Sequence, residues 1–271
     1  MKRSKVVIGI FVALILVVLT IVLLAFTVFI VRDVEVNAEV NSRLIDEEKI
    51  VESSGLTKGT NIISINKSKI KAKIEKDNPY IEITKIVREF PSKVVISATV
   101  RTGIMLVYSE DATTAAVIDS SMKILNVVSA ADASKTGVTT ISGLTYKVPQ
   151  EGALSAVGSV ATFTNESCGT VLKEIAEAAK DSSLDVGGAS FKTLFTKIEF
   201  ITGEGITVHL VTNRGVALVL DTTLSSTIFE QLYKCLLTYT NKMVDMDPTY
   251  GYILLDKDST PVAYKWVPSL D

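Results

Sequence analysis

Ile86-Val87-Arg88-Glu89-Phe90-Pro91-Ser92-Lys93-Val94-Val95-Ile96 sets two β-rich arms around a tight Pro-Ser turn, and its reading decides the fold of the first third of the chain. The arms extend outward over 80–90 and 93–101. In the second, Val94, Ile96, Ala98 and Val100 recur at every other position, so they share one face of a strand. In the first, the alternation slips between Ile83 and Ile86, which predicts a bulge. Upstream, Asn78-Pro79 stops a helix over 67–76 that Asn66 caps and whose Ile70 and Ile74 share a face. Before it, Asp46 caps a helix over 47–54, with acidic residues in its first turn and Gly55 just past its end. Val34, Val36 and Ala38 alternate with polar residues as a half-buried strand requires. The order is strand, helix, helix, strand, strand. Two helices on one face of a three-stranded sheet is the economical way to bury these apolar faces.

The first thirty residues have a different character. Twenty-six uncharged residues run from Val6 to Val31, interrupted in apolar character only by Gly9, Thr20 and Thr27. At about 1.5 Å per residue a helix of that length reaches roughly 39 Å, beyond the ~30 Å hydrocarbon core, so 6–31 reads as a transmembrane helix. A cleaved signal peptide would show a shorter apolar region and an A-x-A-like site, and neither is present. Lys2, Arg3 and Lys5 precede the span, whereas Arg32 is followed at once by Asp33 and Glu35. The positive-inside rule keeps residues 1–5 in the cytoplasm and sends the rest across the cell membrane as a single-pass protein.

Composition narrows the function. The 271 residues carry 28 Lys+Arg against 30 Asp+Glu, so no basic excess exists to neutralise phosphates, and nucleic-acid binding is not expected. Two cysteines, Cys168 and Cys235, and one histidine exclude a disulfide-built scaffold and a cysteine-rich zinc module. No metal, cofactor or small-molecule site is expected. Both cysteines fall on apolar helix stripes, where a thiol behaves as a small buried hydrophobe, although a disulfide between them is open outside the membrane. His209 shares a strand face with Thr207 and Val211, a mixed and partly wet surface.

From 104 onward the chain is richer in Ser, Thr and Ala. Strands are expected over 104–107, 116–118 and 124–127, then a helix over 167–180 with a buried stripe of Cys168, Val171, Leu172, Ile175 and Ala178. Strands over 194–201, 206–211 and 216–220 follow. Next comes a helix over 226–241 that buries Ile228, Leu232, Cys235, Leu236 and Tyr239. Two last strands, 250–255 and 262–266, flank a polar turn. The whole reads as an α+β chain with a small domain at 33–103 and a mainly antiparallel β domain with helices at 104–271.

Two local matches invite a catalytic reading. Ser120-Ser121-Met122-Lys123 fits S-x-x-K and Lys135-Thr136-Gly137 fits K-T-G, motifs of penicillin-binding enzymes. Those enzymes need the serine at a helix start and the K-T-G on a strand distant in sequence. Here eleven residues separate the two lysines and 120–123 falls in a turn between strands, so solvent-exposed turn residues are the better account. No catalytic constellation is visible, and the chain is expected not to be an enzyme.

Several motifs carry a family resemblance. Val34 to Val40 reads V-x-V-x-A-x-V. Asp46-Glu47-Glu48-Lys49-Ile50, Gly55-Leu56-x-x-Gly59-x-Asn61-Ile62 and Asn78-Pro79-Tyr80-Ile81 follow. With the arm-turn-arm stretch, these resemble the POTRA domain of FtsQ/DivIB cell-division proteins. Val117-Ile118-Asp119 with Lys123-Ile124-Leu125, Thr140-Ile141-Ser142-Gly143, and Tyr252-Ile253-Leu254-Leu255 with Asp258-Ser259 through Trp266-Val267-Pro268 resemble the family's β domain. There are two departures. The family's E-R-x-P-x-A is replaced by Val100-Arg101-Thr102-Gly103-Ile104-Met105, and the Gly of its I-D-x-x-G by Met122. The resemblance implies a non-enzymatic divisome scaffold at the division septum, binding FtsL-like and FtsB/DivIC-like bitopic partners and helping control septal peptidoglycan synthesis. It also implies partner contact through the last strands. A final strand at a sheet edge offers unpaired N–H and C=O groups to an extended partner segment. Tyr252, Ser259, Val262, Tyr264 and Trp266 are the candidate contact residues; Trp266 reads equally well as a core aromatic. A POTRA module serving secretion or sporulation is the alternative, and a peptidoglycan-directed enzyme the more distant one.

Overall fold

The structure is a computed structural model that describes residues 2–38, 45–178, 191–242 and 251–265. The chain divides into two compact units, the first ending at Arg101 and the second starting at Thr102.

The first unit begins with helix α1 (Lys2–Thr27). The uncharged run overshoots this helix. Ile62 N–H donates to Phe29 O at 2.9 Å, Val31 N–H donates to Thr60 O at 2.8 Å, and Val31 is 1% exposed. Residues 29–31 therefore belong to the folded domain rather than to a 6–31 span. Hydropathy cannot separate the two, because a valine bound for a protein core and one bound for lipid read alike. Side chains of α1 are described over 9–23 and at Thr27, and all of them are exposed. Among the described residues no helix is long and apolar enough to cross a membrane.

Strand β1 (Asp33–Ala38), helices α2 (Glu47–Ser54) and α3 (Lys67–Asp77), and strands β2 (Ile81–Glu89) and β3 (Lys93–Val100) follow. Asp46 and Asn66 accept from the amides of Lys49 and Lys69, as capping chemistry requires, and Gly55 closes α2 in the left-handed conformation at φ 67°. β3 is central in the order β1-β3-β2, parallel to β1 and antiparallel to β2, with the bulge at Ile83/Lys85. Ile50, Ile74, Ile83, Ile96 and Ala98 form a dry core at no more than 1% exposure.

In the second unit, strands β4 (Met105–Ser109), β5 (Thr114–Ile118) and β6 (Ile124–Ser129) lead through a 3₁₀ turn at Ala130–Thr136 into β7 (Thr139–Tyr146). Then come α4 (Glu166–Ala178), the short α5 (Phe191–Leu194), β8 (Phe195–Thr202), β9 (Ile206–Thr212), β10 (Val216–Asp221), α6 (Ile228–Lys242), β11 (Gly251–Leu255) and β12 (Pro261–Lys265). Among the described residues these nine strands form one sheet, β12-β11-β10-β9-β8-β7-β4-β5-β6. The buried stripes of α4 and α6 pack on inward residues such as Ile198, Leu210, Leu218 and Ile253 in one core. On the opposite face, Ala133 of the 3₁₀ turn covers Leu106, Ala115 and Val117. The rest of that face, including Val211, Ala217, Val219 and Tyr252, is half-buried.

β7 has no counterpart among the strands expected from sequence. Its Thr-rich stretch is broken by Gly143, which sits at φ 76° where a Cβ would fall 2.0 Å from Phe200 O. Only glycine admits that approach.

A candidate partner-binding edge

A sheet edge is a binding site only if nothing guards it, so the four edges of the two sheets decide where an extended partner can add. β1 carries Asp33 and Glu35, both exposed, and the Lys93 ammonium 2.5 Å from Glu35 holds that carboxyl below its ordinary range. β2 carries Glu82, Lys85, Arg88 and Glu89. β6 is met at its start by another segment: Ile124 N–H donates to Ser159 O and Gly158 N–H to Ile124 O, both at 2.8 Å. β12 is different. Its sequence is Pro-Val-Ala-Tyr-Lys, Pro261 blunts only the first position, and among the described residues no strand pairs with its outer edge.

Three of the candidate residues come together there. Tyr252 and Tyr264 stand opposite each other across the β11–β12 ladder, with ring centroids 5.0 Å apart and planes 19° from parallel. Val262 is opposite Leu254. Such aromatic pairs contribute about 0.5–1.5 kcal/mol beyond their buried area. Tyr264 is nonetheless 45% exposed. Behind them the outer sheet face holds a cavity of about 420 Å³ that His209, Ala217, Val219 and Tyr252 help to line. Trp266 lies outside the described residues.

Ser259 is in the turn, apart from that face. It adopts φ 57°, and its carbonyl accepts from Lys234 Nζ at 3.0 Å. Asp256 organises the turn by accepting from the amides of Asp258 and Thr260 at 3.0 and 2.8 Å. Asp256 and Lys234 were not among the candidates. The polar run 256–260 carried the signal for Asp256, whereas no local pattern links Lys234 to a turn 25 residues on.

The catalytic matches dissolve into turn chemistry, with one correction. Met122 and Lys123 are not solvent-exposed: they are 3% and 8% exposed. Asp119 Oδ1 accepts from the amides of Ser121 and Lys123, at 2.8 and 2.9 Å, and from Ser121 Oγ at 2.7 Å. That wrap pulls the segment inward. Met122 occupies the left-handed region at φ 64°, where the family pattern has glycine. Lys135 lies in the 3₁₀ turn with its ammonium on Asp132. Cys168 and Cys235 are both free and buried, and burial pushes the Cys235 thiol up to about 12.

Arg101 has a defined role within the first unit. Its guanidinium lies 3.3 Å from Glu75 Oε1 and 3.7 Å from Glu82, and its Nε–H donates to Ile81 O at 3.3 Å. Glu75 Oε1 also accepts from Ile83 N–H at 2.9 Å, where β2 bulges. Glu75 and Arg101 are 7% and 9% exposed.

The first unit is thus a β-α-α-β-β domain with a mixed three-stranded sheet, the architecture of a POTRA module. Residues 29–99 match the family model of the POTRA domain, FtsQ-type, beginning at the Phe29 that the fold draws into the domain. That match supports an FtsQ/DivIB family protein. FtsQ-type POTRA domains are generally non-enzymatic scaffolds linked to cell division. No curated protein matches the chain in a direct sequence comparison.

Proposed function

We propose that this protein is a membrane-anchored divisome scaffold of the FtsQ/DivIB kind. In this reading it acts outside the cytoplasm without catalysis of its own, and β12 is the edge that grips an FtsB/DivIC-like partner. The observation that carries the reading is the FtsQ-type POTRA match over 29–99. The unguarded Val262–Tyr264 stretch supports the grip, because main-chain pairing supplies affinity while alternate side chains supply selectivity. For the anchor, the support is the exposed apolar surface of α1 from Ile10 to Leu23 and the uncharged sequence on either side of it. Thr20 and Thr27 donate their hydroxyls to Leu16 O and Leu23 O at 2.8 Å, which satisfies them without water. FtsL-like proteins complete the set of proposed partners.

A fluorescent fusion tests the division reading. Signal concentrated at midcell in dividing cells is expected, and uniform membrane fluorescence contradicts it. Alkaline carbonate extraction tests the anchor, with the chain expected in the pellet.

A further inference from the structure

Two helices cover the same face of the nine-stranded sheet, and their outer surfaces are opposite in character. α4 turns Ser167, Thr170, Lys173, Glu174 and Glu177 to solvent, an ordinary polar exterior. α6 turns out Phe229, Tyr233 and Leu237, which are 40%, 42% and 48% exposed. The core does not need them, since Ile228, Leu232, Cys235, Leu236 and Tyr239 already fill the inner side of α6. Spaced i, i+4 and i+8, the three form one straight ridge along the helix.

Charge flanks this ridge on one side. At about 100° per residue, Glu230 and Lys234 lie on the same flank of the Phe229–Leu237 line. Lys234 is steadied there by Ser259 O at 3.0 Å, and Glu230 by a capping box in which it accepts from Thr227 N–H at 3.2 Å. A cavity of about 310 Å³ opens on this flank, lined by Phe229, Tyr233, Lys234 and Ser259 among others.

The pattern is self-complementary. A two-fold axis passing beside Tyr233 and perpendicular to α6 lays a second α6 antiparallel on the first. Tyr233 then meets Tyr233, and Phe229 meets Leu237 at both ends. Such an axis also brings like flanks together, so Glu230 of one copy faces Lys234 of the other, offset by about 3 Å along the helix at 1.5 Å per residue. By symmetry this pairing occurs twice. A foreign helix would have to supply a matching ridge and charge order, whereas this chain already carries both.

We propose that the α6 ridge is a contact surface between two copies of this chain. Its size sets where it acts. Three partly exposed large side chains on each copy bury on the order of 600 Å² in total, about half of what a stable interface needs. The contact therefore forms where copies are already concentrated, as they are when tethered to one membrane. The proposal rests on the anchoring half of the proposed function and not on its division half.

Cysteine crosslinking of the full chain, reconstituted in phosphatidylcholine–phosphatidylglycerol liposomes, tests it. The two native thiols are buried, so an added one reports alone. Tyr233→Cys is expected to give disulfide-linked dimers on mild oxidation at least fivefold more than Thr170→Cys on α4. Adding Glu230→Lys or Lys234→Glu to Tyr233→Cys should abolish the excess. Mixing the two charge-reversed chains, distinguishably tagged, should restore it as a heterodimer, a rescue that a merely misfolded variant cannot give. Equal crosslinking at Tyr233 and Thr170, or an excess indifferent to charge reversal, overturns the contact. Carbonate extraction of the same liposomes reads the anchor separately: a retained chain without adduct sinks the ridge alone, and a released chain sinks the anchor and the contact together.

Discussion

The small sheet and the large sheet treat their edges in opposite ways. In the small one, both outer strands carry charge: Asp33 and Glu35 on β1, and Glu82, Lys85, Arg88 and Glu89 on β2. In the large one, β6 is partly paired to the segment after β7, while β12 is left with Val262, Ala263 and Tyr264 at its centre. A long apolar edge is an aggregation hazard that proteins usually blunt. Among the described residues, the two edges of the small sheet carry charge along their length, whereas the centre of β12 carries none. The same contrast separates the polar outside of α4 from the ridge on α6.

The largest expected effect comes from breaking the closure of the small unit. Glu75→Ala leaves Arg101 without its buried carboxylate and frees the Ile83 amide at the bulge, which should cost about 3–5 kcal/mol of that unit's stability in chemical denaturation. A loss below about 1 kcal/mol contradicts the role assigned to the pair.

Next is the turn in which Met122 holds a left-handed conformation. Met122→Gly relieves about 1–2 kcal/mol of left-handed strain but empties a core position worth about 2–5 kcal/mol. Burial wins, and the midpoint of unfolding should fall by the equivalent of about 2 kcal/mol. A stabilised variant would mean that the side chain contributes nothing to the core.

Giving β12 the guard that β1 already has sharpens the comparison directly. Val262→Lys should weaken capture of an FtsB/DivIC-type ectodomain at least tenfold, about 1.4 kcal/mol, with both units folded. Glu35→Gln on β1 should leave capture unchanged. The smallest effect is a null one. Cys168 and Cys235 should resist thiol reagents at pH 8 in the folded chain and react on unfolding, because burial raises both thiols, Cys235 to about 12, and so suppresses the thiolate.

Much of this fold could be read from local chemistry. Caps at Asp46 and Asn66, the slip between Ile83 and Ile86, and the buried stripes of α4 and α6 are short-range patterns, and each appears where the residues put it. What escaped depends on distant partners. β7 is Thr-rich and broken by Gly143, and it pairs with β8 at Thr140–Ser142, more than fifty residues away. Residues 29–31 look like more of the apolar helix until their bonds to the loop at 59–62 are seen. Lys123 reads as a surface lysine until Asp119 wraps the turn. At the candidate edge, Tyr252, Val262 and Tyr264 were singled out through the resemblance of the last strands, and the register that sets Tyr252 opposite Tyr264 and Val262 opposite Leu254 comes from the fold. The α6 ridge was not, since apolar periodicity marks the buried stripe and does not say which other apolar residues stay exposed.

Hydrogen–deuterium exchange on the full chain, with and without a bound FtsB/DivIC-type ectodomain, tests the central claim most directly, because it compares the edges within one molecule. Amides of β12 over 261–265 should slow on binding while those of β1 and β2 keep their rates. Binding that leaves β12 exchange unchanged, or that protects β1 or β2 instead, contradicts the account.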